Sequence, residues 1–274
     1  MTVTETTFQE PSWLRLGFFL GVLLLCAIWE NKLPRKTLTA SRRFRWVNNL
    51  SLVAFNSLVI ALIMPIAAFQ AAVIAQEQQW GAAEYSVPPP DWLNIFLTVI
   101  LLDFVIYAQH VVFHHVKPLW KIHRMHHADL DIDVTTGARF HPSEIIISMG
   151  VKIAAVFILG VSPIGIVVFE IVLNASAMFN HSNAKLALSM DQKLRNVIVT
   201  PDMHRVHHSV IVKETHSNFG FFLSVWDRFF GTYRAQPKLG HEDVVIGVPE
   251  IRDEEEQRLD KLLTQPFRYN KEKK

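Results

Sequence analysis

Four stretches of the chain lose nearly all their polar positions: residues 13–29 (WLRLGFFLGVLLLCAIW), roughly 50–75, 92–113 (WLNIFLTVILLDFVIYAQHVVF) and 145–179. A helix that crosses a bilayer needs about 20 mostly apolar residues, so each of the first three predicts one span. The fourth is interrupted by GVSPIG at 160–165 and its halves are short, which predicts either two crossings or a hairpin that enters and returns. The first stretch does not read as a signal peptide, because an acidic, polar segment precedes it and no small-residue cleavage site follows. Residues 218–233 (NFGFFLSVWDRFFGTY) are aromatic with few charges and predict packing on the helices or at headgroup level. After Pro249, EIRDEEEQRLDKLL predicts a solvated surface helix, followed by a frayed basic end.

Composition strengthens the membrane reading. Hydrophobic residues make up 50 % of the 274 and charged residues 19 %, below the usual quarter of soluble domains. Mean hydropathy is +0.21. A formal charge of +2 gives no case for nucleic acid as a partner. The single cysteine, Cys26, lies inside an apolar run, which excludes an internal disulfide framework and cysteine-ligated clusters.

Positive residues set the expected orientation. Lys32, Arg35, Lys36, Arg42, Arg43 and Arg45 follow the first span, so that loop is expected in the cytoplasm. The loop after the second span, QEQQWGAAEYSVPPPD, has no Lys or Arg and reads as the outer side. The third span then ends inside, in agreement with Lys117, Lys121 and Arg124, and the broken stretch goes out and returns. All thirteen histidines lie at or after His110, so they gather on the cytoplasmic side.

Those histidines carry the chemistry. HRMHH at 123–127 is written again 81 residues later as HRVHH at 204–208, while the flanks of the two words differ. Histidines at i, i+3 and i+4 share one helical face. Along the third span Asp103, Tyr107, His110 and His114 fall at steps of four, three and four, again on one face. Eight histidines in three clusters (His110 and His114; His123, His126 and His127; His204, His207 and His208) can hold a pair of first-row metals through neutral imidazole. Helix caps or a headgroup lining are the bland alternative. The Glu-x-x-His boxes of soluble di-iron bundles and the HExxH of zinc proteases are absent. All-imidazole ligation beside an apolar bundle suits redox-active iron that activates dioxygen next to a lipid-soluble substrate. Zinc is an expected substitute in purified protein, because affinity order favours it.

The pattern resembles the fatty acid hydroxylase superfamily, the sterol desaturase and lipid hydroxylase group of membrane di-iron enzymes. DFVIYAQHVVFHH at 103–115, LWKIHRMHH at 119–127, RFHPSE at 139–144 and HRVHHS at 204–209 carry the resemblance. NFG at 218–220 and WDRFFGTY at 226–233 add to it, and it covers about 92–233. It implies an all-α integral membrane fold, a four- to five-helix transmembrane bundle with a cytoplasmic, histidine-rich helical cap. It also implies two irons held by the eight box histidines, dioxygen as co-substrate and an external electron donor. A further family ligand lies between the second and last boxes, and His181 in FNHSN matches its place. The fatty-acyl branch has a second histidine four residues on, where this chain has Lys185. That departure leaves the sterol, alkylglycerol and related branches open.

Single residues carry further expectations. Asp103, ionisable within an apolar span, is expected to orient His110 through a hydrogen bond, directly or by way of Tyr107; a helix–helix polar contact is the alternative. His141 is either a ligand or a helix cap, His115 points to water or headgroups, His216 sits near the site's mouth and His241 is exposed. Lys152 snorkels and Glu170 pairs within the bundle. Three segments are expected: N-terminal membrane helices at 1–91, the catalytic unit at 92–233 and a polar tail at 234–274. The expected activity is oxygen-dependent hydroxylation or desaturation of a membrane lipid. Electrons would come from a separate protein of cytochrome b5, ferredoxin or reductase type, in a bacterial inner membrane rather than the endoplasmic reticulum. The rivals are a histidine-rich metal transporter and a haem-binding membrane anchor.

Overall fold

The computed structural model describes residues 12–82 and 90–269. The acidic N-terminal segment, most of the proline-rich loop and the basic end lie outside the described residues. Thirteen α-helices follow in order among them: α1 Ser12–Lys32, α2 Arg42–Ile63, α3 Ala68–Glu77, α4 Asp91–His115, α5 Lys117–His127, α6 Pro142–Leu159, α7 Pro163–His181, α8 Leu188–Leu194, α9 Pro201–His207, α10 Val212–Thr215, α11 Val225–Phe229, α12 Gly240–Asp243 and α13 Leu259–Arg268. No strand occurs among the described residues, only isolated bridges. Among the described residues five segments are long and apolar enough to cross a membrane: α1, α2 with α3, α4, α6 and α7.

Local chemistry sets the breaks. Met64 is extended (φ −96°, ψ 109°) because the following Pro65 disfavours the helical region, so α2 stops there. The second apolar run is therefore a full-length α2 followed by the separate ten-residue α3. The fourth run resolves into α6 and α7. Gly160 ends α6 in the left-handed region (φ 67°), and Ser162 caps α7 by accepting from Gly165 N, with Pro163 in its first turn. Gly81 (φ 112°) packs on this turn so closely that a Cβ there would lie 2.3 Å from Gly160 N, which fixes the end of α3 against the α6–α7 connection.

The core of the bundle lies among α3, α4, α6 and α7, around Phe69, Leu102, Val156, Ile166 and Phe169. Outward positions such as Leu24, Leu25, Leu62 and Ile158 stay exposed, as expected of helices that face lipid. One end of the bundle carries a buried polar network. There Glu30 of α1 accepts from Val134 N and Asn183 N, and Arg45 of α2 binds Asp129 and Asp133. The C-termini of α4 and α7 and the N-terminus of α6 arrive at the same end, where residues 116–141 and 182–269 form a helical cap.

Two expectations need correction here. His241 is buried, 5 % exposed, with Nε2 3.9 Å from Asp202; burial lowers its imidazole to about 4 despite that carboxylate. The segment after Pro249 is not a free surface helix: α13 buries Leu262, Gln265 and Pro266, and Leu262 joins Leu52 and Met125 in a small core between α2 and α5. Three of the cations counted for orientation are also engaged internally. Arg35 pairs with Asp202, Arg42 with Glu30, and Arg45 with Asp129 and Asp133. The aromatic 218–233 segment packs on the helices through its inner positions, with Phe219 buried, while Phe229 is 80 % exposed.

Candidate metal centre

Pro118 in the first turn of α5 breaks the chain from α4 after His115, so the second histidine word folds back beside His110 and His114. Thr200 caps α9 through Met203 N, with Pro201 in its first turn, and sets the third word opposite. His181 arrives as the last residue of α7. All nine expected ligands converge, in two sets: His110, His114, His123, His127 and His207; and His126, His181, His204 and His208. Within each set the ligand nitrogens lie within 4.8 Å of one another, and every ring is buried. Neither word owns a metal position. The α5 word gives His123 and His127 to the first set and His126 to the second; the α9 word gives His207 to the first and His204 and His208 to the second.

The hydrogen bonds decide what these rings can do. Nδ1 of His110 lies 2.7 Å from Phe219 O, that of His207 2.7 Å from Ser217 O, and that of His123 2.7 Å from Glu144 Oε1. In the second set Nδ1 of His126 lies 3.0 Å from Arg139 O and that of His181 2.7 Å from Ala177 O. Carbonyl and carboxylate oxygens only accept, so each Nδ1 carries the proton and each neutral ring presents a bare Nε2 lone pair. Those Nε2 atoms face one another, His110 to His123 and to His207 at 3.1 Å and His181 to His126 at 3.1 Å; Nε2 of His204 lies 3.1 Å from that of His181 and Nε2 of His127 3.2 Å from that of His123. Opposed lone pairs repel unless a cation sits between them. Two nitrogens each about 2.0–2.1 Å from one ion lie about 2.8–3.4 Å apart at angles from octahedral to tetrahedral. Burial, then the neighbouring imidazoles, holds His126, His127, His204 and His208 well below the usual imidazole range, and burial does the same to His207. Both nitrogens of His114 and of His208 lack a protein partner. The donor set fits two metal ions.

Groups behind the ligands fix their aim. Glu144, for which the sequence suggested only a helix start, holds His123. Beneath the second set Arg45 Nε lies 2.5 Å from Asp129 Oδ1, Arg45 Nη1 is 2.7 Å from Asp133, and Arg139 Nε donates to Met125 O. Burial alone would raise the Asp129 carboxyl, yet Arg45 and Arg139 beside it hold it down, to about 2. The alternating aspartates of ADLDID were a visible signal for this network, but their partner, 84 residues upstream of Asp129, was not.

Asp103 does not act as expected. It accepts from Phe222 N, Leu223 N and Trp226 Nε1, while Tyr107 bonds Thr232, so neither touches His110. Its carboxylate is consumed by the loop after Phe219, and it reaches His110 only through that loop. His141 is a cap: its Nδ1 accepts from Ser143 N, its Nε2 faces Leu263 O, and it joins neither set. His115 is exposed and bonds its own helix, and His216 packs edge-on against His114 and tilted against Trp120 at the edge of the first set. Lys152 and Arg15 both pair with Glu170.

A cavity of about 490 Å³ opens between α1, α2, α4, α6 and α7, and His110 and His123 line its inner end. Phe140, stacked on His126 with centroids 4.5 Å apart, lines the same wall and screens the second set from it. Such a volume lies within the range of small-molecule sites, about 300–1,000 Å³.

The sequence profile of the fatty acid hydroxylase family matches residues 95–232, half of the chain, and the chain belongs to that family. It is 22 % identical over 233 residues to the ornithine lipid hydroxylase of Rhizobium tropici, a match covering 83 % of this chain and 69 % of that protein. It is 28 % identical over 167 residues to human alkylglycerol monooxygenase (58 % of this chain, 33 % of that protein) and 28 % identical over 138 residues to the Xenopus tropicalis protein (50 % and 30 %). The chain thus spans about a third of the length of the two monooxygenases. No solved structure matches it.

Proposed function

We propose that the protein is an integral membrane lipid hydroxylase that holds two irons in the two histidine sets. One observation carries this reading: nine imidazoles converge where a cavity inside a membrane bundle ends, and two of them, His110 and His123, form its wall. The reaction takes one C–H bond, one dioxygen, two electrons and two protons to one alcohol and one water. Bound iron would supply the activation of dioxygen. The chain's own residues hold ring orientation through Phe219 O, Glu144 and Ser217 O, and seat a substrate carbon beside His110 and His123. Phe140 and the apolar wall exclude water from that position.

The names of the relatives, hydroxylase and monooxygenase, favour an alcohol over an alkene. Electrons come from a separate carrier of cytochrome b5, ferredoxin or reductase type. The excess of Lys and Arg after the first span supports a histidine site on the cytoplasmic side of the membrane. A transporter has no support, since it needs a polar path across the bundle and the ligands gather at one end; a paired-histidine haem site would strand most of the nine.

The test is lipidomics under ¹⁸O₂ in a host with the wild-type chain and with His207→Ala. Lipids that gain one ¹⁸O with the wild type alone are the expected result. Identical lipidomes with full metal content in the wild type would overturn the proposal.

A further inference from the structure

Glu144, Ser148 and Lys152 stand at i, i+4 and i+8 on α6, on one face of a membrane-spanning helix, and all three line the cavity. Asn56 of α2, Gln109 of α4 and Asn174 of α7 line it as well. Polar groups at this depth are costly and mark what must pass or bind there. The strip runs about 12 Å from Glu144 to Lys152, at 1.5 Å per residue.

Its polar atoms are used unevenly. Asn56 Nδ2 donates to Phe140 O at 2.8 Å, Gln109 Nε2 to Ser148 Oγ at 2.7 Å, and Glu144 Oε1 accepts from His123 at 2.7 Å. The remaining oxygen of each, the amide oxygens Asn56 Oδ1 and Gln109 Oε1 and the second carboxylate oxygen Glu144 Oε2, is buried without a partner. Asn56 is 7 % exposed and Glu144 5 %. Three acceptors thus stand beside the metal end with nothing to accept from, a condition folded proteins avoid. At the far end the sense reverses. The Lys152 ammonium has three N–H groups and gives one to Glu170, 2.7 Å away, whose carboxylate also holds Arg15.

We infer that the substrate is an amphiphile whose polar segment fills this strip: hydroxyl or amide groups beside the oxidised carbon donate to Asn56, Gln109 and Glu144, and an anionic group sits on Lys152. This deepens the proposed function and rests on it for the word substrate, although the recognition itself does not require turnover. The anion is a phosphate or a carboxylate, two sources of one chemistry. A bare acyl chain would leave the three buried acceptors Asn56 Oδ1, Gln109 Oε1 and Glu144 Oε2 unpaired.

Binding to the full-length protein in detergent tests the inference with two matched pairs. The first is 1-palmitoylglycerol 3-phosphate against 1-palmitoylglycerol, the second N-palmitoylglycine against its methyl ester. The anionic member of at least one pair is expected to bind at least tenfold more tightly, and the pair that responds identifies the anion. Lys152→Gln should erase that preference and Lys152→Arg should keep it. Equal binding within both pairs overturns the inference with no variant needed, and so does a preference that survives Lys152→Gln. The ¹⁸O₂ experiment separates this failure from that of the function. Discriminating probes with no labelled lipid would leave recognition standing without hydroxylation. Labelled lipid with the new oxygen on a distal methylene would overturn the inference while hydroxylation stands.

Discussion

The two histidine sets draw on the same two words and are built differently around them. The first takes His110 and His114 from a membrane helix, faces the cavity, and is aimed by two carbonyls and one carboxylate, Glu144. The second takes only His181 from a membrane helix, is screened by Phe140, and stands over the buried Arg45–Asp129–Arg139 network. One set is exposed to chemistry and one is braced. Because each word divides two-to-one between the sets, a rotation of α5 or α9 would disturb both, which couples the sets despite their different surroundings.

The largest effect comes from breaking either set. On the proposed function, in which both sets are required, His207→Ala and His204→Ala should each abolish lipid oxidation, and each should leave about one metal per chain. His241→Ala, buried but outside both sets, should keep turnover within a few-fold. Metal analysis per folded protein beside product yield measures this, and full activity in either set variant would end the two-set account.

The brace should fail through stability rather than chemistry. Asp129→Asn leaves Arg45 and Arg139 buried with less countercharge, and breaking a buried pair costs roughly 3–5 kcal/mol. The folded-state carboxyl stands at about 2, below its unfolded value of about 3.9. Its contribution is therefore full above about pH 4 and disappears as pH falls towards 2. Denaturation of wild type and variant in detergent should differ most near neutrality and converge in acid.

This contrast also marks what could be read from the chain. His123, His126, His127 and their repeat at 204–208 stood out because metal ligation forces one residue type at one spacing, and the four apolar stretches because lipid does the same to composition; that the fourth divides into two full helices was left open. His181 needed the family resemblance. The brace was illegible, since Arg45 sits in a loop-like basic cluster where the positive-inside rule gives it another meaning, and pairing across 84 residues leaves no local period. His241 was misjudged for a related reason: a lone histidine in a polar tail carries no sign that the tail folds back.

Within the first set, Glu144→Gln keeps an acceptor for His123 but removes the charge that strengthens the ring as a donor. Losses of such partners typically cost about 10–100-fold in metal affinity or activity. Metal titration of the stripped protein should place that loss in the cavity-facing set alone, with the second set unchanged. An equal loss in both would mean the sets are not separately aimed.

Asp103→Asn should have the smallest effect on the metals, although Asp103 stands on the same helix face as His110. Its carboxylate accepts from Phe222 N at 3.3 Å, Leu223 N at 3.2 Å and Trp226 Nε1 at 2.8 Å. An asparagine that turns its oxygen to Leu223 and Trp226 keeps two of the three bonds and sets its amide against Phe222 N. A lost bond to a charged group is worth about 1.5–3 kcal/mol, so the melting temperature in detergent should fall. The route to the metals is nevertheless cut short. His110 depends on Phe219 O, and Phe219 N and Gly220 N are held separately by Asp227 at 2.7 and 2.9 Å. Metal content per folded protein should therefore remain near that of the wild type, whereas Asp227→Asn should lower both quantities. If Asp103→Asn instead lost metal tenfold with an unchanged melting temperature, the charge of Asp103 would be acting on His110 directly, and the loop would not be its only connection to the first set.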